Sequence, residues 1–225
     1  MVPLRWGEYT TLKRMALIKY ISDEAHYDEV LSRVASVKTS LWIGTADIKD
    51  LYVKTGAAQT PFLGVIAKLI ERGVDVRLIH AKEPGPIFRE EFDRYSVLAT
   101  RLERALCPRV HFKILVFDGT VAYIGSANLT GAGIGMKGAS RRNFEAGILT
   151  DDPELVQAAM DHFDSVWAGF RCKGCERRKF CGDPLHPTVN LLLEAYVIFQ
   201  FFCHFHSSDL ELAFPIMSSI SSRPA

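Results

Sequence analysis

The sequence lacks an excess of charge of either sign. Its 27 lysines and arginines are balanced by 26 aspartates and glutamates, so the 225-residue chain has a formal net charge of +1. A chain so close to neutrality does not attract nucleic acids or anionic membranes as a whole, and a polyanion has to be bound by a local patch. With 48% hydrophobic side chains, the length suits one globular domain with a substantial core and one appendage.

Long uninterrupted hydrophobic runs are also missing. Near the N-terminus, Arg5, Glu8 and Lys13 interrupt any apolar segment that could serve as a secretory signal, so we expect a cytoplasmic protein. The most apolar stretch, Val189 to His206, contains polar residues such as Glu194. Because roughly 20 predominantly apolar residues are needed to cross a bilayer, we expect a buried or interfacial helix there and not a membrane span; a membrane partner is disfavoured but stays open.

The remaining sequence predicts alternating helices and strands. Apolar spacing, together with proline and glycine at the ends of segments, defines most of them, and Asp152 followed by Pro153 is a clear helix start. The predicted helices cover 23–37, 61–72, 89–107 and 152–169, and the predicted strands cover 40–45, 74–80, 110–117 and 121–126. This order favours an α/β fold, a sandwich in which helices flank a largely buried mixed sheet.

The last two predicted strands form a hairpin. Asp118 and Gly119 are typical of a two-residue hairpin turn, and with both at its centre Lys113 lies opposite Ile124. Since side chains alternate between the faces of a strand, four polar side chains then share one face. They are those of His111, Lys113, Ser126 and Asn128. The apolar remainder of this face consists of Leu115, Phe117 and Ala122.

This polar set suits phosphodiester chemistry. A neutral nitrogen of His111 can attack phosphorus, while Lys113 and Asn128 donate to the non-bridging oxygens and the Ser126 hydroxyl lies beside them. A histidine also needs a carboxylate that fixes its tautomer and stabilises the imidazolium, and Glu145 is a candidate. Candidate phosphate contacts of the substrate form a nearby basic patch, which consists of Lys137, Arg141 and Arg142.

The spacing of these residues resembles the HKD signature of the phospholipase D superfamily. Its positions here are His111, Lys113, Asp118, Gly125, Ser126 and Asn128. With Asn143 and Glu145 downstream and the order of elements over 23–167, the resemblance covers roughly two thirds of the chain. It implies a phospholipase D-like α/β/α sandwich, a phosphohistidine on His111, phosphate ligation by Lys113 and Asn128, and no catalytic metal. We assign Asp118 and Gly125 structural roles, because the hairpin places Asp118 in its turn.

The motif occurs once, without an internal repeat. Enzymes that resemble this family combine two such segments, so that one histidine attacks and the other protonates the leaving group. We therefore expect a homodimer with the site on its two-fold axis. Many small single-motif members of the family are nucleases, which makes nucleic acid the expected substrate. The alternatives are a lipid phosphodiesterase or phosphatidyltransferase and a non-catalytic nucleic-acid-binding module, and the sequence leaves DNA, RNA and lipid open.

A cysteine cluster follows the last predicted helix. Cys172, Cys175 and Cys181 form C-x2-C-x5-C, which suits metal ligation better than a disulfide in a cytoplasmic chain, with Cys107 or His186 as the fourth ligand. The spacing also resembles the iron–sulfur site of certain DNA nucleases, so structural zinc and a four-iron cluster both remain open, beside free thiols or a disulfide. Basic residues on this segment suit a nucleic-acid backbone. They are Arg171, Lys173, Arg177, Arg178 and Lys179.

These features divide the chain into four segments. We expect an N-terminal extension over 1–22, a catalytic domain over 23–170, a cysteine-rich knuckle over 171–187 and an apolar tail over 188–225. The composition changes abruptly after Pro187, since the tail contains no lysine. No function follows for the tail from its composition.

Overall fold

Short apolar segments form most of the strands in this protein. The structure, a computed structural model, describes residues 15–49, 51–55 and 58–181. The strands are β1 (Ile18–Ser22), β2 (Ser40–Thr45), β3 (Tyr52–Thr55), β4 (Ala58–Pro61), β5 (Asp75–His80), β6 (Glu103–Leu106), β7 (Lys113–Phe117), β8 (Val121–Gly125) and β9 (Ala146–Thr150). The α-helices are α1 (Phe62–Glu71), α2 (Pro86–Asp93), α3 (Ser96–Arg101) and α4 (Pro153–Trp167). Between β1 and β2 lies a helical segment of π-type turns (His26–Val30) and 3-10 turns (Leu31–Ser36).

Seven strands form one mixed sheet, in the order β1-β9-β8-β7-β2-β5-β6, and β3 pairs with β4 in a small second sheet. Strands β2, β5 and β6 are parallel, whereas β7, β8, β9 and β1 are joined by antiparallel pairing. Helix α1 and the first helical segment pack on one face, and α4 packs on the other through Val156 and Ala159. Both faces of β7 are therefore covered, and all five of its residues are buried. The predicted α/β/α sandwich is confirmed.

Locally encoded elements agree with their predictions. Strand β2 has the predicted bounds, and α4 begins at Pro153, where Asp152 Oδ1 accepts hydrogen bonds at 3.0 Å from the main-chain nitrogens of Glu154 and Leu155. No helix of the described residues is both long and apolar enough to span a membrane. The apolar stretch over 189–206, the tail and His186 lie outside the described residues.

The predicted helix over 89–107 is wrong. Helix α2 ends at Asp93, α3 ends at Arg101, and Glu103–Leu106 forms β6 beside β5. Glu, Arg, Ala and Leu all favour helices, but pairing with an exposed edge of the sheet outweighs that weak preference. Strand β1 was also missed: it pairs with β9 at the other edge of the sheet, so part of the expected N-terminal extension belongs to the sheet.

The hairpin register differs from the prediction by one residue. Three residues separate β7 from β8 instead of two, and Lys113 consequently pairs with Gly125 instead of Ile124. A shift of one residue exchanges the faces of a strand. Ala122 therefore packs with Ile114 and Val116 beneath α4, away from Leu115. The predicted common face for the four polar side chains is wrong, and β7 begins only at Lys113.

Candidate active site

Four strands end or begin at the same end of the sheet. Strands β2 and β8 end there and β7 and β9 begin there, because each is antiparallel to its neighbour. His111 precedes β7, Ser126 follows β8 and Glu145 precedes β9. The loops after β2 and β8 meet in a parallel bridge between Ile48 and Leu129. The polar residues thus converge through loops at strand ends, although they do not share one face of a hairpin.

Lys113 is the buried cation of this site. Its side chain is 4% exposed, and its Nζ donates to the main-chain oxygen of His111 at 2.6 Å and lies 3.4 Å from His111 Nδ1. Burial lowers the pKa of Lys113, and the carboxylate of Glu145 opposes this effect. The residue His111 is exposed. A phosphodiester can therefore reach the imidazole from solvent and meet the ammonium beside it.

Glu145 is held by two neutral side chains. Ser126 Oγ donates to its Oε2, and Asn143 Nδ2 donates to its Oε1 at 3.0 Å. Ser126 Oγ in turn accepts from the main-chain nitrogen of Ala146 at 3.0 Å. The resemblance implied a bond between Glu145 and His111, but no hydrogen bond joins them within the described residues. Glu145 acts on the Lys113 ammonium through its charge. The two side-chain hydrogen bonds to its carboxylate come from Ser126 and Asn143 and not from His111.

Asn128 is oriented by the end of β2. Its Oδ1 accepts from Thr45 Oγ1 at 3.3 Å and from the main-chain nitrogen of Asp47 at 3.1 Å. With the oxygen engaged, the amide nitrogen is the end that can donate to a phosphate oxygen. Sequence reasoning missed both partners, although the strand that it predicted over 40–45 ends at Thr45.

Asp118 lies at the opposite end of β7 from His111. Its Oδ1 accepts from the main-chain nitrogens of Thr39 at 2.7 Å and Lys38 at 2.9 Å, which ties the hairpin turn to the segment before β2. Burial by itself raises the pKa of Asp118, but the main-chain donors outweigh it and the pKa is lowered. The geometry gives Asp118 a structural position.

Beneath the site, Tyr123 is fully buried between two glycines. A side chain at Gly125 would overlap the Tyr123 hydroxyl and approach the main-chain oxygen of the residue after Glu145 to 2.8 Å, and a side chain at Gly147 would overlap the ring. The ring of His26 meets Tyr123 edge-on with centroids 5.5 Å apart. Nε2 of His26 is buried without a hydrogen-bond partner in the described residues, and burial lowers the pKa of this histidine. No sequence signal singled out His26 or Tyr123.

Comparison with protein families identifies the chain. Residues 30–167, more than half of the sequence, match the family described as "Cardiolipin synthase, PLD-like domain". The chain belongs to this phospholipase D-like family. The predicted membership of the phospholipase D superfamily is thereby confirmed, and the protein is a member of a phosphodiesterase superfamily.

Solved structures support the fold of this phospholipase D-like protein. It is 15% identical to NucT from Helicobacter pylori, with a TM-score of 0.50 and coverage of 67% of this chain and 95% of NucT. It is 19% identical to Nuc, a phospholipase D family member from Salmonella typhimurium, with a TM-score of 0.50 and coverage of 68% and 95%. At such low sequence identities, the similarity to these two structures supports the fold and nothing further. The comparison with curated proteins found no match.

The loop from β8 to β9, which connects Ser126 to Glu145, carries basic and aromatic side chains. Lys137 and Arg141 are exposed, whereas Arg142 Nη2 forms an ion pair with Glu24 at 2.8 Å. Phe144, the neighbour of Glu145 in the chain, is 98% exposed. Two of the three expected phosphate contacts are therefore available to a ligand, next to an aromatic ring that sequence reasoning did not single out.

The fold brings Cys107 to the cysteine segment, defined here as residues 170–181. Cys172 interacts electrostatically with the other three cysteines; its pKa is raised mainly by burial and also by these neighbours. No disulfide joins any two of the four. Among the described residues, no three His, Cys, Asp or Glu side chains have the arrangement of a metal site, so the expected zinc ion or cluster has no support from this arrangement.

Proposed function

We propose that this phospholipase D-like protein cleaves nucleic acids through a phosphohistidine on His111, without a catalytic metal. The observation that carries the proposal is the buried Lys113, whose Nζ lies 3.4 Å from Nδ1 of the exposed His111. A cation in a site of low dielectric strongly stabilises charge on the non-bridging oxygens of a phosphodiester. Lys113 and the amide of Asn128 thus supply the stabilisation that a metal ion supplies in other phosphodiesterases.

The reaction takes two displacements. In the first, a nitrogen of His111 attacks phosphorus, the bond to the leaving oxygen breaks, and an acid protonates that oxygen. In the second, water attacks phosphorus, the same acid–base group takes its proton, and the phosphorus–nitrogen bond breaks. For Nε2 to attack, the ring proton must be on Nδ1, and Nδ1 then needs a hydrogen-bond acceptor. The Lys113 ammonium can only donate, so it cannot be this acceptor. We assign the role of this acceptor to Glu145. The exposed ring of His111 turns toward Glu145 when substrate is bound.

The acid is a second His111, supplied by another copy of the chain. The other histidines of the described residues are unsuited: His26 and His80 are fully buried, and exposed His162 lies on α4 against Phe112, with ring centroids 5.2 Å apart. A two-fold dimer places two equivalent residues across its axis. One His111 then attacks while the other protonates the leaving group.

Nucleic acid is the substrate that the surroundings of His111 favour. Exposed aromatic rings beside cations bind single strands, because bases stack on the ring while the cations contact phosphates. Phe144, Lys137 and Arg141 offer this combination on the loop that connects Ser126 to Glu145.

A lipid phosphodiester is the second candidate. The description of the family that matches this chain names a cardiolipin synthase. An exposed phenylalanine with exposed basic residues a few positions upstream also suits an anionic membrane surface. The two candidates share the chemistry at His111 and differ in what Phe144 and its basic neighbours contact.

One set of incubations tests the proposal. The purified chain is incubated in EDTA with single-stranded DNA, plasmid, RNA, and vesicles of phosphatidylcholine and phosphatidylglycerol. We expect cleavage of nucleic acid, a phosphoprotein labelled by the substrate and trapped by denaturation at alkaline pH, and loss of at least about 10³-fold in His111→Ala with an unchanged circular dichroism spectrum. His162→Ala is the matched control and should keep its activity.

Each other result argues against a particular part of the proposal. Activity retained by His111→Ala, or lost in EDTA while the metal content of the protein itself is unchanged, contradicts the mechanism. Cleavage of lipid alone establishes the second candidate, and nucleic-acid binding without cleavage of any substrate establishes a non-catalytic module.

A further inference from the structure

Cys107 lies in a turn between the sheet and His111. Its main-chain nitrogen donates to His80 at the end of β5, at 2.9 Å, and its main-chain oxygen accepts from Val110 at 2.9 Å. This cysteine is therefore attached to the rigid sheet on one side and to the approach to His111 on the other.

The residues on both sides of Cys107 touch the cysteine segment. Cys181 Sγ donates to the main-chain oxygen of Leu106 at 3.5 Å. Arg109 Nη1 donates to Cys175 Sγ at 3.7 Å and contacts the main-chain oxygen of Arg171 at 3.5 Å. Groups that are 62 to 75 residues apart in the chain are thus neighbours in the fold.

The cysteine segment has no hydrophobic core of its own. Every residue from 170 to 181 is exposed except Cys172, Cys175 and Cys181, which are partly buried. Even the two phenylalanines of the segment are 46% and 59% exposed. Burial of apolar area therefore contributes little to holding this segment in place. Chain segments of this kind are usually held by disulfides or by a metal.

The main chain of the segment turns repeatedly at its cysteines. The nitrogen of Cys175 donates to the oxygen of Cys172 at 3.2 Å, and that of Cys181 donates to Arg178 at 3.0 Å. Gly174 has φ 70°, a conformation that glycine adopts without the strain of a side chain. These turns keep the three partly buried cysteines on a short, compact stretch of chain.

We propose that Cys107, Cys172, Cys175 and Cys181 form one tetrathiolate metal site that fastens the cysteine segment to the turn before His111. The four sulfurs do not have that arrangement in the described residues. Cysteine has a single torsion between the main chain and its sulfur, so rotation about the four Cα–Cβ bonds moves the sulfurs without breaking the main-chain hydrogen bonds. The thiols release their protons as the metal binds.

Zinc and a four-iron cluster are the two centres with this ligand chemistry. Both are held by four thiolates in proteins, and both fix distant chain segments to each other. The site is structural in either case. Its presence is independent of whether the protein cleaves nucleic acid or lipid.

Metal analysis of the full chain, purified without added metal under anaerobic conditions, tests the site directly. We expect about one zinc or about four iron atoms per chain, with a broad visible absorption band in the second case only. Serine in place of any of the four cysteines should lower the metal content at least about 10-fold. Cys203→Ser and His186→Ala, which change the fifth cysteine and the competing histidine, should bind as much metal as the unaltered chain.

Several outcomes overturn this assignment. They are absence of metal from the unaltered chain, full metal content in Cys107→Ser, and loss of metal in His186→Ala or Cys203→Ser. If the serine variants do not fold, titration of the unaltered protein with an organomercurial decides the matter. The proposal requires metal release in proportion to about four modified thiols; thiols that react only after reduction, without metal release, establish disulfides instead.

Discussion

The charge of Glu145 acts on the groups around it because its own hydrogen bonds come from neutral side chains. Ser126 and Asn143 donate to its two oxygens without neutralising it. The carboxylate therefore raises the pKa of Lys113, against the larger effect of burial. At the scale of single residues, the site therefore combines one carboxylate, one buried ammonium and one exposed imidazole.

Glu145→Gln should lower kcat by about 10²–10⁴-fold with a smaller effect on KM, because glutamine retains hydrogen bonding but cannot stabilise an imidazolium. Removing the carboxylate also removes the charge that raises the pKa of Lys113, so burial lowers this pKa further. If the ammonium is needed, the alkaline limb of the pH–rate profile moves to lower pH. Steady-state kinetics across pH measures both effects, with exposed Glu90→Gln as control. An unchanged kcat would remove Glu145 from the mechanism.

Phe144→Ala should raise KM for single-stranded nucleic acid about 10-fold, since stacking of a base contributes about 1–3 kcal/mol. Phe144→Trp should restore it. The matched control is a small chromogenic phosphodiester that has no base to stack, whose hydrolysis should be the same in all three proteins. Equal losses for both substrates would mean that Phe144 supports Glu145 and does not contact substrate.

At the scale of elements, the β7–β8 hairpin is fastened at both ends. At the site, Lys113 pairs with Gly125, whose lack of a side chain allows Tyr123 to pack beneath. At the far end, Asp118 ties the turn to the start of β2. One signature therefore contains residues for chemistry at one end of a strand and a residue for architecture at the other.

Asp118→Asn should destabilise the protein by about 1.5–3 kcal/mol, because a charged acceptor of several main-chain donors is lost. The folded-state pKa of Asp118 is lowered, so its contribution is complete above the ordinary carboxyl range and is lost as pH falls through the lowered pKa. The difference from the unaltered protein should therefore be largest near neutrality and shrink in acid. Urea unfolding at several pH values measures it, with exposed Asp93→Asn as control. A difference that grows in acid would contradict this account.

At the scale of the whole molecule, catalysis depends on the proposed pairing of two chains. Each copy brings one exposed His111, and the remaining histidines of the described residues are buried or lie on α4. A site on a two-fold axis needs both copies intact.

In an equal mixture of the unaltered chain and His111→Ala, the activity per total chain should therefore fall to about one quarter of that of the unaltered protein after subunit exchange, because only dimers of two unaltered chains are active. Independent sites would leave about one half. Sedimentation of each protein and of the mixture should show dimers throughout. Activity proportional to the unaltered chain, or a monomer that is fully active, would exclude the shared site.

The sequence by itself determined what depends on neighbours within a few residues. The spacing from His111 to Asn128 identified the family, the apolar run of β2 predicted a buried strand, and Asp152 with Pro153 predicted the start of α4. Caps, side-chain periodicity and motif spacing are properties of short stretches of chain, so no knowledge of the tertiary structure is required.

Only the tertiary structure decided which distant groups meet. The register of the β7–β8 hairpin, the pairing that turns 103–106 into a strand, the donors to Glu145 and the approach of Cys107 to residues 170–181 all depend on contacts between remote segments. Local preferences for these alternatives differ by only about 1 kcal/mol, and packing across the sheet outweighs them. The family could therefore be predicted from the motif, whereas the hydrogen-bond partners of its residues could not.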